Sequence, residues 1–294
     1  MTESGKPFVN PVAALAVGIA AISTGAIFAR AADAPSLVIA AYRVGLATLI
    51  LAPFAAWKCP GEIAGLSRSD WKSVLGAGFF LAVHFATWIA SLDYTSVASS
   101  VILVETIPLW VGVLTPFVTG ERPGRATLAG IGLSFAGGIL IGAGDFATGG
   151  RALLGDLLAL AGGFSGALYI MLGRNVRPRL SLLAYITTCY GTAGALLWLL
   201  VIASGTPFTG FSAPTWWAFL GMALVPQILG HSSYNWALRW FSSTTVAVCL
   251  LGEPIGSTIL AWFFFGETLT AWKAAGGALI LAGIVLAARS EKAG

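Results

Sequence analysis

Five ionisable side chains stand inside long apolar runs of this sequence: Arg43, His84, Glu105, His231 and Glu253. A charge at the centre of hydrocarbon is costly, and where one is kept it is paired or handles an ion, a proton or a substrate. Glu105 and Glu253 are candidate proton carriers or partners of Arg43. His84 and His231 could donate to a carboxylate or change charge near neutral pH. His84, Trp88 and Ser91 recur at i, i+4 and i+7 and so share one helical face, as do His231, Tyr234 and Asn235. Two such polar-aromatic faces looking across a cavity would suit a small polar ligand; two histidines bonded between helices is the plainer reading. Trp110 and Tyr169 could stack on an apolar or aromatic group of that ligand, and Ser99 adds a hydroxyl. Pro108 and Pro254 lack the backbone N–H, so each allows a bend or hinge.

The elements that carry these residues must lie in a membrane. Of 294 residues 57% are apolar and only 10% charged, with a mean hydropathy of +0.87. That excludes a soluble globular enzyme, a disordered chain and a fibrous repeat. Ten segments of roughly the length a bilayer requires fall at about 10–29, 36–57, 72–91, 96–118, 126–144, 153–173, 181–203, 214–238, 243–265 and 271–288. The first is too long for a cleaved signal core and is expected to stay as a span. The links between segments are short and hold turn formers. With the N-terminus inside, twelve basic residues fall in cytoplasmic segments and three (Arg30, Arg151, Lys273) outside. This places both termini in the cytoplasm. The excess of basic residues is explained in the same way and does not point to nucleic acid.

An offset of 146 aligns the sequence with itself: Pro108 with Pro254, Gly120-Glu121 with Gly266-Glu267, Gly130 with Gly276, Gly137 with Gly283. Near that offset Tyr42 meets Tyr185 and His84 meets His231. The chain therefore divides into two five-helix repeats, 1–148 and 149–294. Five is odd, so the second is inverted. Inverted repeats are the architecture of many secondary transporters, with the ligand near the pseudo-twofold axis. The fold expected is an all-α membrane protein of ten transmembrane helices.

The run His84-Phe85-Ala86-Thr87-Trp88-Ile89-Ala90-Ser91-Leu92, then Tyr94 to Val101, resembles EamA-type members of the drug/metabolite transporter superfamily. So do Pro108 followed by Gly120-Glu121-Arg122, and in the second half Glu253-Pro254, Phe265-Gly266-Glu267, Gly276 and Gly283. The resemblance covers the whole chain and implies an inner-membrane carrier that exports metabolites. YddG-like amino-acid exporters are one branch of this size. On that footing the substrate expected is an amino acid, held in a cavity by His84, Trp88, Ser99, Trp110, Tyr169, His231 and Asn235. Arg43, Glu105, Glu253, Pro108 and Pro254 would serve ion coupling or gating. Ile107 stands opposite Glu253 in the repeat, so the acidic position before proline is not symmetric.

No cofactor is expected, nor a metal. Cys59, Cys189 and Cys249 form no C-x-x-C pair, and no phosphate-binding loop is present. The partners expected are the small-molecule substrate and the lipid bilayer, with the chain a monomer. The glycine pairs Gly138/Gly142, Gly162/Gly166 and Gly252/Gly256 read as packing inside the chain. Two rivals have some sequence support, and a third, a channel, has little, because five ionisable groups on five different spans make a poor filter. A broad drug or cation exporter would use an unpaired membrane carboxylate. An intramembrane protease would use Gly163-Phe164-Ser165-Gly166 with His231, or Gly142-Ala143-Gly144-Asp145. A channel would need a continuous polar pore.

Overall fold

In the computed structural model, residues 9–119, 124–148, 150–241, 246–247 and 249–291 are described. Among them every regular element is helical. In chain order these are α1 Pro11–Ile22, α2 Gly25–Ala31, α3 Ser36–Lys58, α4 Pro60–Ala64, α5 Arg68–Ser91, α6 Val97–Val104 and α7 Ile107–Thr119. Then come α8 Arg125–Thr148, α9 Gly150–Val176, α10 Leu182–Ala203, α11 Ala213–Met222 and a π-helical run Ala223–His231. The chain ends with α12 Ser232–Ala237, α13 Gly252–Phe265 and α14 Ala271–Glu291. Among the described residues six stretches are long and apolar enough to cross a membrane: Pro11–Ala31, Ser36–Lys58, Arg68–Ser91, Val97–Thr115, Gly150–Val176 and Leu182–Ala203.

Side chains start and stop the helices. Asn10 accepts from Val12 N at 2.9 Å, with Pro11 in the first turn. Ser67 and Asp70 form a reciprocal capping box at α5. Ser96 and Ser181 cap α6 and α10. Gly266 ends α13 at φ 65°, the left-handed cap that glycine adopts without penalty.

Two apolar runs are broken. Between α1 and α2 the hydroxyls of Ser23 and Thr24 fold back onto the carbonyls of Ile19 and Ala21. Ser257 from α13 satisfies the carbonyl of Ser23 at 3.0 Å. Between α6 and α7 the Thr106 hydroxyl takes the carbonyl of Leu103 at 2.7 Å, and Trp110 Nε1 donates to Thr106. Unwound backbone away from water needs such partners.

Elements from the two halves of the sequence pack against one another: α3 on α10, α5 on α9, α1 on the π-helical run and α12, α8 on α14. At α8–α14 a Cβ on Gly137 would lie 2.6 Å from the Gly276 carbonyl, and one on Gly283 would lie 2.5 Å from that of Gly130. Ser134 Oγ donates to Ile280 O, 146 positions away. The contact is therefore reciprocal about Ser134 and Ile280. Large apolar side chains cover the outside, among them Trp57, Phe117, Trp217 and Phe263 at 71–84% exposure. A surface of that kind suits lipid.

Candidate functional site

Polar groups meet where α3, α5, the α6–α7 break, α9, the π-helical run, α12 and α13 cross. The cavity there is lined by Arg43, His84, Trp88, Glu105, Tyr169, His231, Tyr234 and Glu253, with Ile22, Val104, Ile107, Gly166, Ile170 and Leu250. Its free volume is about 20 Å³, room for a single water. The protein's own side chains fill the remainder.

Arg43 organises one wall. Its Nε donates to Gln227 Oε1 at 2.7 Å, and its guanidinium carbon lies 4.0 Å from the Phe85 ring centroid and 5.4 Å from that of Trp88. Arg43 Nη1, Gln227 Nε2 and Trp88 Nε1 are buried donors with no partner among the described residues. His84 Nδ1 lies 2.9 Å from the Gly162 carbonyl. Carrying the proton there leaves Nε2 as an acceptor. His84 stacks on Trp88 at 6.2 Å and lies 6.3 Å from His231. His231 Nδ1 bonds the Tyr234 hydroxyl. Glu105 caps α6 and opens the break, and Glu253 stands in the first turn of α13. Both carboxyls line the cavity, near enough to interact with each other. Neither carboxyl is within ion-pair distance of Arg43; the ion pairs among the described residues are Arg30–Glu267 and Arg179–Asp70.

Asn235 stands just behind the cavity, donating to the Tyr169 hydroxyl and to His231 O. Pro108 and Pro254 occupy the first turns of α7 and α13, where a missing N–H leaves no helical bond unmade. The chain is interrupted before each proline rather than bent at it. Two candidates lie elsewhere. Ser99 sits in the first turn of α6, its N–H on Ser96 Oγ at 3.1 Å. Trp110 lines a second, apolar groove of about 560 Å³ with Leu103, Thr106, Ile131 and Phe135, and packs edge-on against Phe164. The Gly142–Asp145 pattern lies where only the helix path is described, and Gly120-Glu121 lies outside the described residues.

The Gly163–Gly166 pattern has a packing role. A Cβ on Gly163 would meet Val104 O at 2.7 Å, and one on Gly166 would meet His84 Nδ1 at 3.1 Å. These glycines let α5 and the break close on α9. Neither histidine bonds Ser165 among the described hydrogen bonds.

Polar contacts close the bundle at both ends. At one, Arg30 holds Glu267 at 3.1 Å and Thr95 O at 2.6 Å, while Glu267 accepts from Val97 N at 3.0 Å. The glutamate after Gly266 thus caps a helix of the other half. At the other, Ser181 N donates to Glu62 at 2.9 Å and Arg179 pairs with Asp70 at 2.7 Å. Arg177, which the charge pattern assigns to a cytoplasmic link, is wholly buried there and donates to Asn235 O at 2.8 Å. Sequence reading missed Gln227, an amide with no distinguishing neighbours, and this role of Arg177.

An all-helical chain with a lipid-like surface and a sealed polar centre built from both halves is a multi-pass membrane protein of the carrier type. The chain belongs to the EamA-like transporter family, whose sequence profile matches twice, at residues 10–143 and 153–289. Two transporters of Archaeoglobus fulgidus, both described as uncharacterized, are similar to it. One is 24% identical over 94% of this chain and 96% of its own, the other 30% over 84% and 86%. A protein of Salmonella typhimurium described as a "probable amino-acid metabolite efflux pump" is 28% identical over 59% of this chain and 61% of its own. A solved crystal structure shares the fold at a TM-score of 0.67, with 21% identity, covering 96% of this chain and 99% of that one.

Proposed function

We propose that this transporter exports amino acids across the cytoplasmic membrane by alternating access, as two inverted five-span repeats with both termini in the cytoplasm. The observation that carries this reading is the composition of the central cavity. Its lining holds donors for a carboxylate (Arg43 Nη1 and Trp88 Nε1, with Gln227 Nε2 beside Arg43) and two carboxyls, Glu105 and Glu253, for an ammonium group. A free amino acid carries both charges. The aromatic lining of Trp88, Tyr169 and Tyr234 suits apolar or aromatic side chains. The reciprocal α8–α14 contact supports the inverted repeat, and the polar contacts at both ends suit an occluded step of such a cycle. The relative described as an amino-acid metabolite efflux pump points the same way.

Counterflow into proteoliposomes with a labelled amino-acid panel tests the reading. Exchange of at least one amino acid is expected, abolished by His84→Ala and retained by Ser165→Ala. No exchange with any amino acid would remove this substrate class. The carboxyl pair also favours a second reading, export of organic cations. Cationic dyes that compete with no amino acid, yet are themselves exchanged, would establish that one instead.

A further inference from the structure

The apolar groove of about 560 Å³ beside the α6–α7 break lies outside the polar centre. Its walls are Leu109 and Val113 of α7, Ile131 and Gly138 of α8, and Leu153 and Leu160 of α9. Two more lining residues, Phe135 and Ile139, are 71% and 58% exposed, so the groove opens on the outer apolar surface. The lining side chains that carry a donor have already used it: Thr106 on Leu103 O, Trp110 on Thr106, and Ser134 on Ile280 O. The described lining holds no charged residue. Water or a polar ligand finds no free side-chain donor there, and hydrocarbon walls keep their dispersion contacts only against other hydrocarbon. From Ile131 to Ile139 the helix rises about 12 Å, against about 15 Å for the hydrocarbon of one leaflet, half of a ~30 Å core. The groove has the chemistry and the length of a single acyl chain.

Gly138, which its spacing marks as a packing glycine, is where the room lies. Among the described residues a Cβ there would meet only Leu103 Cδ2, at 4.0 Å, while one on Gly137 would lie 2.6 Å from Gly276 O. Helix α8 is thus pressed onto α14 at one residue and stands clear at the next. The break separates the groove from the central cavity: Leu103, Thr106 and Trp110 line the first, Val104, Glu105 and Ile107 the second. The Trp110–Thr106–Leu103 bonds that satisfy the broken backbone are themselves part of the groove's wall. We propose that one acyl chain of a membrane lipid occupies this groove and braces the α6–α7 break from the side away from the central cavity. The site stands on the groove alone; its value to export rests on the transport reading. With the chain in place, the break is backed by hydrocarbon and Glu105 stays turned to the cavity. Without it, Thr106 and Trp110 have nothing behind them.

Photolabelling of the purified full chain tests the site. Vesicles of phosphatidylethanolamine and phosphatidylglycerol carry a trace of phospholipid with a diazirine midway along one chain, and adducts are mapped by mass spectrometry. Bulk lipid labels exposed residues such as Phe117 in any case. The site predicts adducts on Leu103 and Leu109 as well, 1% and 9% exposed. These should be lost in Gly138→Phe, whose ring fills the groove, and reduced in the smaller Gly138→Leu. Adducts confined to exposed residues overturn the site, as do buried adducts that survive in Gly138→Phe. Buried adducts that disappear when an exchanged amino acid is added would give the groove to substrate. Labelling that rises as the protein is diluted in the vesicles would give it to a second copy. Either result overturns the lipid. Bracing is read from amide hydrogen exchange at 105–110. In a detergent with a rigid steroid skeleton these amides should exchange severalfold faster than after phospholipid is added. In Gly138→Phe the addition should make no difference. Equal rates with and without phospholipid in the unaltered chain overturn the bracing. If labelling and protection behave as expected while the amino-acid panel shows no exchange, the lipid site stands and the amino-acid assignment falls.

Discussion

The two histidine-bearing segments occupy corresponding places in the two halves and are built differently. His84 rides on α5, an uninterrupted α-helix of 24 residues, and its ring is tied across the bundle to Gly162 O of α9. His231 ends a nine-residue π-helical run, and its ring is tied to Tyr234, three residues along its own chain. The cause is visible in the sequence: Pro226 has no N–H to give to the carbonyl one turn back, so the regular ladder fails there. A π-turn absorbs about one extra residue, and the histidines are spaced 147 apart where the prolines are 146. Through its histidine, one wall of the cavity is thus anchored to the opposite half. The histidine of the facing wall is tied within its own segment, and Gln227 joins that wall to α3. Breaking alternate ties should therefore have unequal effects.

The largest effect is expected at Gln227. This amide is the partner of a fully buried guanidinium, joining the π-helical run to α3 over 184 positions of sequence. Replacing it with Leu leaves Arg43 with its aromatic neighbours and no acceptor. Losing a bond to a buried charge costs about 2–3 kcal/mol. Gln227→Leu should show a clearly lowered unfolding temperature in detergent and no exchange in proteoliposomes. An unchanged melting temperature would mean that the run is held by packing alone.

Much of the frame was legible beforehand. The segments at 36–57, 72–91 and 181–203 become α3, α5 and α10 within a few residues, because long apolar runs between turn formers leave the backbone one way to satisfy itself in lipid. Arg43, His84, Glu105, His231 and Glu253 stand out by cost alone, and all five line one cavity. What was not legible depends on breaks and on pairings across helices. Ser23-Thr24 and Glu105-Thr106 are each two polar residues within a long apolar run, too few to divide it on hydropathy averaged over a span's length. A break also resets the helical phase, and spacing counted through it cannot say which way Trp110 faces. Helical periodicity shows which residues share a face. It cannot show that Arg43 meets Gln227, or that Glu105 and Glu253, unmatched in the repeat, meet each other.

A middle-sized effect separates the two rings directly. His84→Ala removes a tie between α5 and α9, worth about 1 kcal/mol, and opens space against Trp88 and Phe85. His231→Ala removes a bond within one segment and leaves the two halves joined as before. The His84 variant should therefore melt lower than the His231 variant, although both line the cavity and exchange should fail in the first and be impaired in the second. Equal melting temperatures would show that the anchoring of the two walls does not differ.

The smallest change in stability, and the sharpest test of the π-helical wall, is expected from Pro226→Ala. The substitution restores an N–H and removes the ring that excludes a regular ladder, so the run gains the option of an α-helical path. Regaining one helical bond while losing the π-turn shifts the balance by no more than about 1 kcal/mol, and the melting temperature should scarcely move. The geometry should move more. Shortening the run by a turn's extra residue withdraws Gln227 from Arg43 Nε and turns His231 away from Tyr234, since both contacts are made from within it. Exchange should fall severalfold with the fold intact, an effect that a purely structural proline would not produce. If exchange is unchanged while hydrogen exchange at 223–231 still reports the wider turn, packing from α1 and α3 imposes the π-helical path, and Pro226 merely tolerates it.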